Sequence, residues 1–192
     1  MGLFAKLKDH RVDALRVIAL WVFAVPLVWF ARPSPPTFAA GLGLVLAGLA
    51  IRGWAAGHLQ RNQELATSGP YAYLRDPLYL GRLCLLCGFG VMGNSPITYA
   101  VFAFALLIFF LNYMPRKLKK ESQRLEHIFG AQYTEYHRAV RSLIPRLRPY
   151  EKRSMKRWQF AVFWSENREQ WLVLAVALLA GLVAAKLWIH WP

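Results

Sequence analysis

The chain alternates between long apolar runs and short polar connections, and the apolar runs have the length of membrane-spanning helices. Five spans are predicted, at Ala14 to about Phe30, Phe38 to about Ala56, Leu78 to about Met92, Ile97–Tyr113, and Gln170 to about Ile189. Runs of about 17 to 20 residues match a hydrocarbon core of ~30 Å, and only the third run is shorter. The pattern therefore predicts an all-α protein, a polytopic membrane helical bundle with about five transmembrane helices.

A long basic segment, Arg116–Arg168, separates the fourth and fifth spans. Its first part, Lys117 to about Val140, has apolar residues at helical spacing on one face, namely Leu118, Leu125, Ile128 and Phe129. Gly130 interrupts this pattern, and two prolines close it, Pro145 and Pro149. We expect an amphipathic helical segment here. We also expect the second span to continue as a polar helix from His58 through Gln63.

The stretch Gly69–Gly81, GPYAYLRDPLYLG, is polar and irregular although long apolar runs lie on both sides of it. Each proline restricts the residue before it, so Gly69 and Asp76 are predicted to be non-helical, with a helix restarting near Leu78. Irregular backbone beside a bilayer persists only where protein or a water-filled cavity covers it. The stretch is therefore a candidate site.

The distribution of charge predicts an orientation in the membrane. The 192 residues are 56% hydrophobic and 18% charged, with a formal net charge of +14. Basic residues crowd the N-terminus and the regions 52–82 and 116–168, which the positive-inside bias assigns to the cytoplasm, leaving the C-terminus outside. Because Lys and Arg lie beside apolar spans, we expect contact with anionic lipid head groups and no nucleic-acid binding. We expect an integral protein of a prokaryotic inner (cytoplasmic) membrane.

Small residues inside the spans have a packing interpretation. Gly41, Gly43 and Gly48 faintly match a dinucleotide-binding fingerprint, but they lie in a span with no strand before them, so close helix packing is predicted. Cys84 and Cys87 share a helix face without further ligands, so neither a redox motif nor a metal site is predicted.

Glu121 follows the fourth span at the depth predicted for Arg75 and Asp76. A carboxylate at that depth can hold a cationic ligand, and tyrosines at 71, 73 and 79 would suit a sulfonium or ammonium group. The alternatives are surface charge pairing for Glu121 and interfacial anchoring for the tyrosines. His58 and Gln63 extend polar groups from the second span, or form an ordinary wet helix end.

Two blocks of residues resemble a known superfamily. Gly69–Gly81 resembles the signature Gly-x-Tyr-x-x-x-Arg-His-Pro-x-Tyr-x-Gly of the isoprenylcysteine carboxyl methyltransferase and phosphatidylethanolamine N-methyltransferase superfamily. The superfamily's second block is matched by Glu121, Ser122, Leu125, Phe129, Gly130, Tyr133, Tyr136 and Pro145. The resemblance covers residues 50–147 of one predicted membrane domain, 1–192. Residues 150–192 lie outside it, as a basic interfacial segment with an extra transmembrane helix.

The resemblance implies methyl transfer from S-adenosylmethionine, bound without a Rossmann fold at the cytoplasmic face, to a membrane lipid or prenyl-like acceptor. It implies catalytic roles for Arg75, Asp76 and Glu121. It implies cofactor binding by those residues together with Tyr71, Pro77, Tyr79, Gly81, Tyr133 and Tyr136. For the acceptor we expect contacts from Arg52, His58, Gln63 and Arg82. A carboxylate acceptor would need a positioning arginine (Arg52, Arg75 or Arg82), and an amine acceptor would need His58 or Glu121 as a base.

The chain departs from the superfamily at two positions. Asp76 replaces its histidine, and Ser122 replaces the second glutamate of its pair. An ionised aspartate only accepts hydrogen bonds, so Asp76 either accepts from the cofactor or pairs with Arg75 or Arg82. The alternative to an enzyme is a catalytically degenerate member that binds lipids or a partner. A lipid-modifying reductase is a third hypothesis, without a nicotinamide-nucleotide signature to support it. The oligomeric state is not predicted.

Overall fold

A computed structural model describes residues 24–61 and 63–188, which are all-helical and contain no strand. Helix α1 is described over 24–30, and it is followed by α2 (Pro35–Ala56), α3 (Pro77–Gly93), α4 (Pro96–Ile108), α5 (Met114–Phe129), α6 (Ala131–Ala139) and α7 (Glu169–Ala185). A one-turn 3-10 helix forms at Gly69–Ala72, and π-helical turns form at Phe109–Tyr113 and Val162–Glu166. The predicted all-α class is confirmed.

Two of the described helices are long and apolar enough to cross a membrane, α2 and the continuous helix Pro96–Phe129. The apolar helices α3 and α7 are shorter, at 17 residues each. Most of the predicted first span and the last residues of the fifth lie outside the described residues. The number of five transmembrane helices therefore stays a prediction.

Glycines bring α2 and α3 into close contact. A β-carbon at Gly41 would lie 2.5 Å from the Gly88 carbonyl oxygen, and one at Gly48 would lie 2.7 Å from the Gly81 carbonyl oxygen. Neither position has room for a side chain, so the predicted packing role of Gly41 and Gly48 is confirmed. Gly43 is different, because a β-carbon there would meet no atom within 4 Å.

Two clusters of buried side chains hold the bundle together. The first joins α1, α2, α3 and α7 through Leu27, Ala31, Val45, Leu85, Phe89, Met92, Val176, Ala180 and Val183. The second lies between the loops and α6 and consists of Leu65, Tyr133, Tyr136, Val140 and Tyr150. The second cluster packs α6 against Leu65 and Tyr150.

The predicted polar continuation of α2 through Gln63 is wrong. The helix ends at Ala56, because a later segment of the chain occupies the carbonyl groups at its end. The Trp158 indole donates to the Gly53 carbonyl oxygen (2.9 Å), and the Asn167 amide donates to the Ala56 carbonyl oxygen (2.8 Å). These contacts satisfy carbonyls that a longer helix would have used.

The fourth span and the basic segment form one helix from Pro96 to Phe129, which continues through Pro115. Proline removes one helical donor, and the π-helical turn just before it inserts an extra residue that accommodates the change. The predicted break at Gly130 is confirmed by its φ of 53°, a conformation that favours glycine.

Candidate functional site

The predicted site stretch is an irregular connection between α2 and α3. Gly69 has a φ of 55°, and a β-carbon there would lie 2.4 Å from the His58 ring, so glycine is required for both conformation and space. Asp76 is non-helical, with φ −123° and ψ 58°, and α3 begins at Pro77. The predicted departure from helix at Asp76 and the restart near Leu78 are confirmed, whereas Gly69, despite its positive φ, is the first residue of the short 3-10 helix.

The segment that follows α6 covers this connection by main-chain hydrogen bonding. Its bonds run from the Arg75 amide to the Arg141 carbonyl oxygen (2.9 Å), from the Asp76 amide to Ser142 (3.1 Å), from the Arg146 amide to Tyr73 (2.9 Å), and from the Tyr150 amide to Ala72 (2.8 Å). The Tyr136 hydroxyl also donates to the Tyr71 carbonyl oxygen at 2.7 Å. The two blocks that are far apart in the sequence therefore form one unit.

The Asp76 side chain makes its hydrogen bonds within this unit. Its Oδ2 accepts from the Ser142 hydroxyl at 2.7 Å and from Arg75 Nε at 3.3 Å, and both charged side chains are largely buried. Burial raises the pKa of Asp76, while the Ser142 hydrogen bond and the Arg75 charge oppose the rise. Of the pairings considered for Asp76, the structure has the one with Arg75.

Tyr71 has a buried hydroxyl with no hydrogen-bond partner among the described residues. Burial raises the pKa of Tyr71, and the carboxylates of Asp76 and Glu121 raise it further. The phenol is therefore neutral and stays a donor. A buried polar group without a partner is rare in folded proteins and is costly unless a ligand or water bonds it.

Glu121 lies on the exposed surface of α5, within electrostatic range of Tyr71, Tyr79 and Tyr133. Tyr133 is buried and donates to the Ser122 hydroxyl at 2.9 Å. The serine that replaces the superfamily's second glutamate is therefore hydrogen-bonded to Tyr133. The structure brings together predicted site residues from both sequence blocks, namely Tyr71, Asp76, Tyr79, Glu121 and Tyr133.

Pro77 and Gly81 are buried at the start of α3. A β-carbon at Gly81 would lie 2.4 Å from Arg52 Cγ and 2.9 Å from the Gly48 carbonyl oxygen. Glycine is therefore required at position 81 because Arg52 and the Gly48 carbonyl group pack directly against it. Contact between Gly81 and a cofactor stays a prediction.

Three of the residues expected to bind the acceptor have different surroundings. Arg52 is buried and forms an ion pair with Glu169, at 2.6 Å between Nη2 and Oε1. His58 Nδ1 lies 3.0 Å from the Ser68 hydroxyl, and burial lowers the pKa of the ring. Gln63 is exposed in the loop. Arg52 is thus bonded within the protein, and the role of all three toward an acceptor stays a prediction.

Arg82 is the fourth such residue. Its guanidinium donates to the Tyr113 hydroxyl and lies 5.1 Å from the Tyr113 ring centre and 5.9 Å from the Tyr79 ring centre. It is partly exposed. This places a cation one helical turn after Tyr79.

Comparison with known proteins identifies the family. A family model described as phospholipid methyltransferase matches residues 37–132, half of the chain. The chain belongs to the phospholipid methyltransferase family. The predicted resemblance to the wider superfamily with isoprenylcysteine carboxyl methyltransferases is confirmed, and the chain is a methyltransferase.

Similar proteins of two kinds match the chain. The cobalt-zinc-cadmium resistance protein CzcN of Cupriavidus metallidurans is 33% identical over 77% of this chain and 69% of its own. The nickel-cobalt-cadmium resistance protein NccN of Alcaligenes xylosoxydans is 26% identical over 77% and 70%. The protein-S-isoprenylcysteine O-methyltransferase of Rattus norvegicus is 30% identical over 76% of this chain and 55% of its own. No solved structure matches.

Some features of this phospholipid methyltransferase family member escaped prediction from sequence. Glu169 was missed, although a lone glutamate at the start of an apolar span is an expensive placement that signals a buried partner. Ser142 and Tyr113 were missed because their contacts depend on tertiary structure. The described residues contain no group of three or more His, Cys, Asp or Glu side chains placed to hold a metal ion.

Proposed function

We propose that this protein transfers a methyl group from S-adenosylmethionine to a lipid-like acceptor at the cytoplasmic face of a prokaryotic inner membrane. Membership of the methyltransferase family supports transfer to a lipid-like acceptor, and the cofactor is the one that the family implies. The orientation has the N-terminus and the site in the cytoplasm and the C-terminus outside, as the basic residues favour.

The observation that carries this proposal is the buried hydroxyl of Tyr71. It lacks a hydrogen-bond partner among the described residues, and it lies within electrostatic range of Asp76 and Glu121 at the junction of the two blocks. A donor phenol beside carboxylates suits a ligand that carries both hydrogen-bond acceptors and a cationic group. The residues present therefore fit S-adenosylmethionine.

When bound, this cofactor supplies an electrophilic methyl group on a sulfonium whose departure leaves a neutral thioether. In our proposal Tyr71, Tyr79 and Glu121 hold it, with Glu121 attracting its positive charge and the tyrosine rings facing its cationic part. Arg75 and Asp76, joined to Ser142, fix the connection that carries Tyr71. Tyr133 and Tyr136 hold α6 against that connection.

The residues here do little chemistry beyond alignment, because methyl transfer is an in-line displacement. Orientation and exclusion of water can supply up to ~7–11 kcal/mol of such a barrier. A carboxylate acceptor needs no base. An amine acceptor loses a proton, and in that case Glu121, exposed at the surface, is the proposed base.

The basic helix α5 is proposed to contact anionic lipid head groups. All its residues lie outside the buried core, and Lys and Arg dominate its first half. Juxtamembrane basic residues gain about 1 kcal/mol each from an anionic leaflet.

A second candidate function is the binding of lipids or a partner without catalysis, by a catalytically degenerate member of the family. It is favoured because the two residues that depart from the superfamily signature are hydrogen-bonded within the protein. Asp76 is bonded to Arg75 and Ser142, and Ser122 is bonded to Tyr133. On that hypothesis no cofactor binds.

The test is calorimetric binding of S-adenosylmethionine and S-adenosylhomocysteine to the purified protein in a neutral detergent. Tyr71→Phe is expected to weaken binding by about threefold to tenfold, the effect of one hydrogen bond, without lowering the stability of the free protein. Tyr136→Phe is the matched control. It loses the bond to the Tyr71 carbonyl oxygen and is expected to lower stability by about 1 kcal/mol.

Two outcomes would contradict the proposal. If the folded wild-type protein bound neither ligand up to millimolar concentration, the hypothesis of a catalytically degenerate family member would be favoured. Binding that is unchanged in Tyr71→Phe would remove Tyr71 from the pocket.

A further inference from the structure

Of the three arginines expected to position a carboxylate acceptor, Arg52, Arg75 and Arg82, two are neutralised by carboxylates. Arg52 pairs with Glu169, and Arg75 pairs with Asp76. Arg82 has no such partner, since among residues 24–61 and 63–188 its contacts are with the Tyr113 hydroxyl and two tyrosine rings. Aromatic rings hold a guanidinium in place but leave its charge uncompensated.

The partner of Arg82 comes from an irregular turn of the neighbouring helix. Tyr113 is the last residue of the π-helical turn Phe109–Tyr113, and π-helical turns are frequent at functional sites. The Tyr113 ring stacks on Phe109 at 5.9 Å and meets the Tyr79 ring edge-on at 6.1 Å. These contacts orient the Tyr113 hydroxyl toward α3, where it accepts from Arg82.

The position of this pair suits the acceptor. Tyr79 lies within electrostatic range of both Glu121 and Arg82. The site therefore has a negative part, built by Glu121, and a positive part, built by Arg82. Tyr113 is 38% exposed, so the pair is accessible from outside the helices.

Resting on the proposed function, we propose that Arg82 and Tyr113 bind an anionic group of the methyl acceptor, a carboxylate or a phosphate ester. The planar guanidinium offers two parallel donors to either anion, which a lysine does not. An arginine near a helix end keeps its charged head at the membrane interface, where an anionic ligand supplies the missing counter-charge. Arg82 would thereby select acceptors by charge and orient them toward Tyr79.

The experiment measures ligand binding to the full chain purified in a neutral detergent. One arm uses an S-prenylcysteine carboxylate with its neutral carboxamide as the matched probe. The other arm uses a short-chain phosphatidylethanolamine with its diacylglycerol as the matched probe without phosphate. Binding of S-adenosylhomocysteine is measured in every variant as the test of folding and of the cofactor site.

Arg82→Gln is expected to weaken binding of at least one anionic probe by tenfold or more, the effect of a charge-assisted hydrogen bond, and to leave the neutral probes unchanged. Arg82→Lys is expected to recover only part of that loss. Tyr113→Phe is expected to cause a smaller loss. The arm that responds identifies the anion.

Arg116→Gln is the matched control, an exposed basic residue three positions after Tyr113. An equal loss in Arg116→Gln and Arg82→Gln would mean that both side chains serve the lipid surface, and would overturn the proposal. It would also be overturned if the wild type bound S-adenosylhomocysteine but discriminated neither anion from its neutral probe. Failure to bind S-adenosylhomocysteine would instead count against the proposed function.

Discussion

Arg52 and Glu169 form a buried, bidentate ion pair where α2, α3 and α7 meet. The Nη2–Oε1 and Nε–Oε2 distances are 2.6 and 3.1 Å, and the two side chains are only 8% and 6% exposed. Arg52 Nη1 also donates to the Leu78 carbonyl oxygen at 3.0 Å, in the first turn of α3. The pair therefore joins the last described helix to the start of the helix that carries Tyr79.

Glu169→Ala is expected to destabilise the protein by about 3–5 kcal/mol, because it leaves the Arg52 charge buried without a partner. The double variant Arg52→Met, Glu169→Leu removes both charges and is expected to lose much less. Equilibrium unfolding in micelles, followed by tryptophan fluorescence, measures both. Equal losses in the single and double variants would contradict this account.

Gly41→Ala is expected to destabilise the protein by about 1–3 kcal/mol, the usual effect of overpacking. Its new β-carbon would lie 2.5 Å from the Gly88 carbonyl oxygen and force α2 away from α3. Gly43→Ala on the same helix is the control, since it meets no atom within 4 Å and is expected to be neutral or slightly stabilising. Similar effects at the two positions in thermal unfolding would show that α2 and α3 are not in close contact.

Asp76 and Ser142 are expected to act as a coupled pair. Asp76→Ala and Ser142→Ala each remove one partner of a 2.7 Å hydrogen bond, so the double variant is expected to lose less stability than the sum of the two. The expected coupling is about 0.5–3 kcal/mol. A double-mutant cycle of unfolding free energies measures it, and strict additivity would mean that the bond contributes nothing.

Stability is expected to fall as the pH falls below about 6.5, in part because of His58. Burial lowers the pKa of its ring below the usual 6.5. In the pH range between the folded and unfolded pKa values the unfolded chain binds the extra proton, so protonation favours unfolding there. His58→Gln is expected to flatten this part of a stability profile measured from pH 7.5 to 5.5. A profile with unchanged slope would assign the effect to other groups.

Local rules predicted the parts of the fold that depend on neighbouring residues. Pro77 kept Asp76 before it out of the helix and began α3, and Gly130 ended its helix as expected. The continuation of α2 past Ala56 was wrong because Trp158 and Asn167, about a hundred positions later, occupy its terminal carbonyls. Tertiary hydrogen bonds there outweighed the local preference of a polar sequence.

The candidate site, too, could be predicted from the sequence only in part. The motif residues Tyr71, Asp76, Tyr79 and Glu121 were identified from spacing and resemblance, and they are brought together. The partners that decide what each can do, Ser142 for Asp76 and Glu169 for Arg52, carry no local pattern. Only the three-dimensional structure separates the arginines that are already neutralised from Arg82.

The ion pair between Arg52 and Glu169 also sets an order of events during biogenesis. Glu169 is made 117 residues after Arg52. At ~5–20 residues per second a ribosome needs roughly 6–23 s to cover that distance. For most of this interval the signature stretch Gly69–Gly81 is already synthesised, yet Arg52, which precedes it, has no counter-charge. A nascent chain would therefore hold the proposed site in its stable form only after Glu169, at the start of α7, has been made and has paired with Arg52.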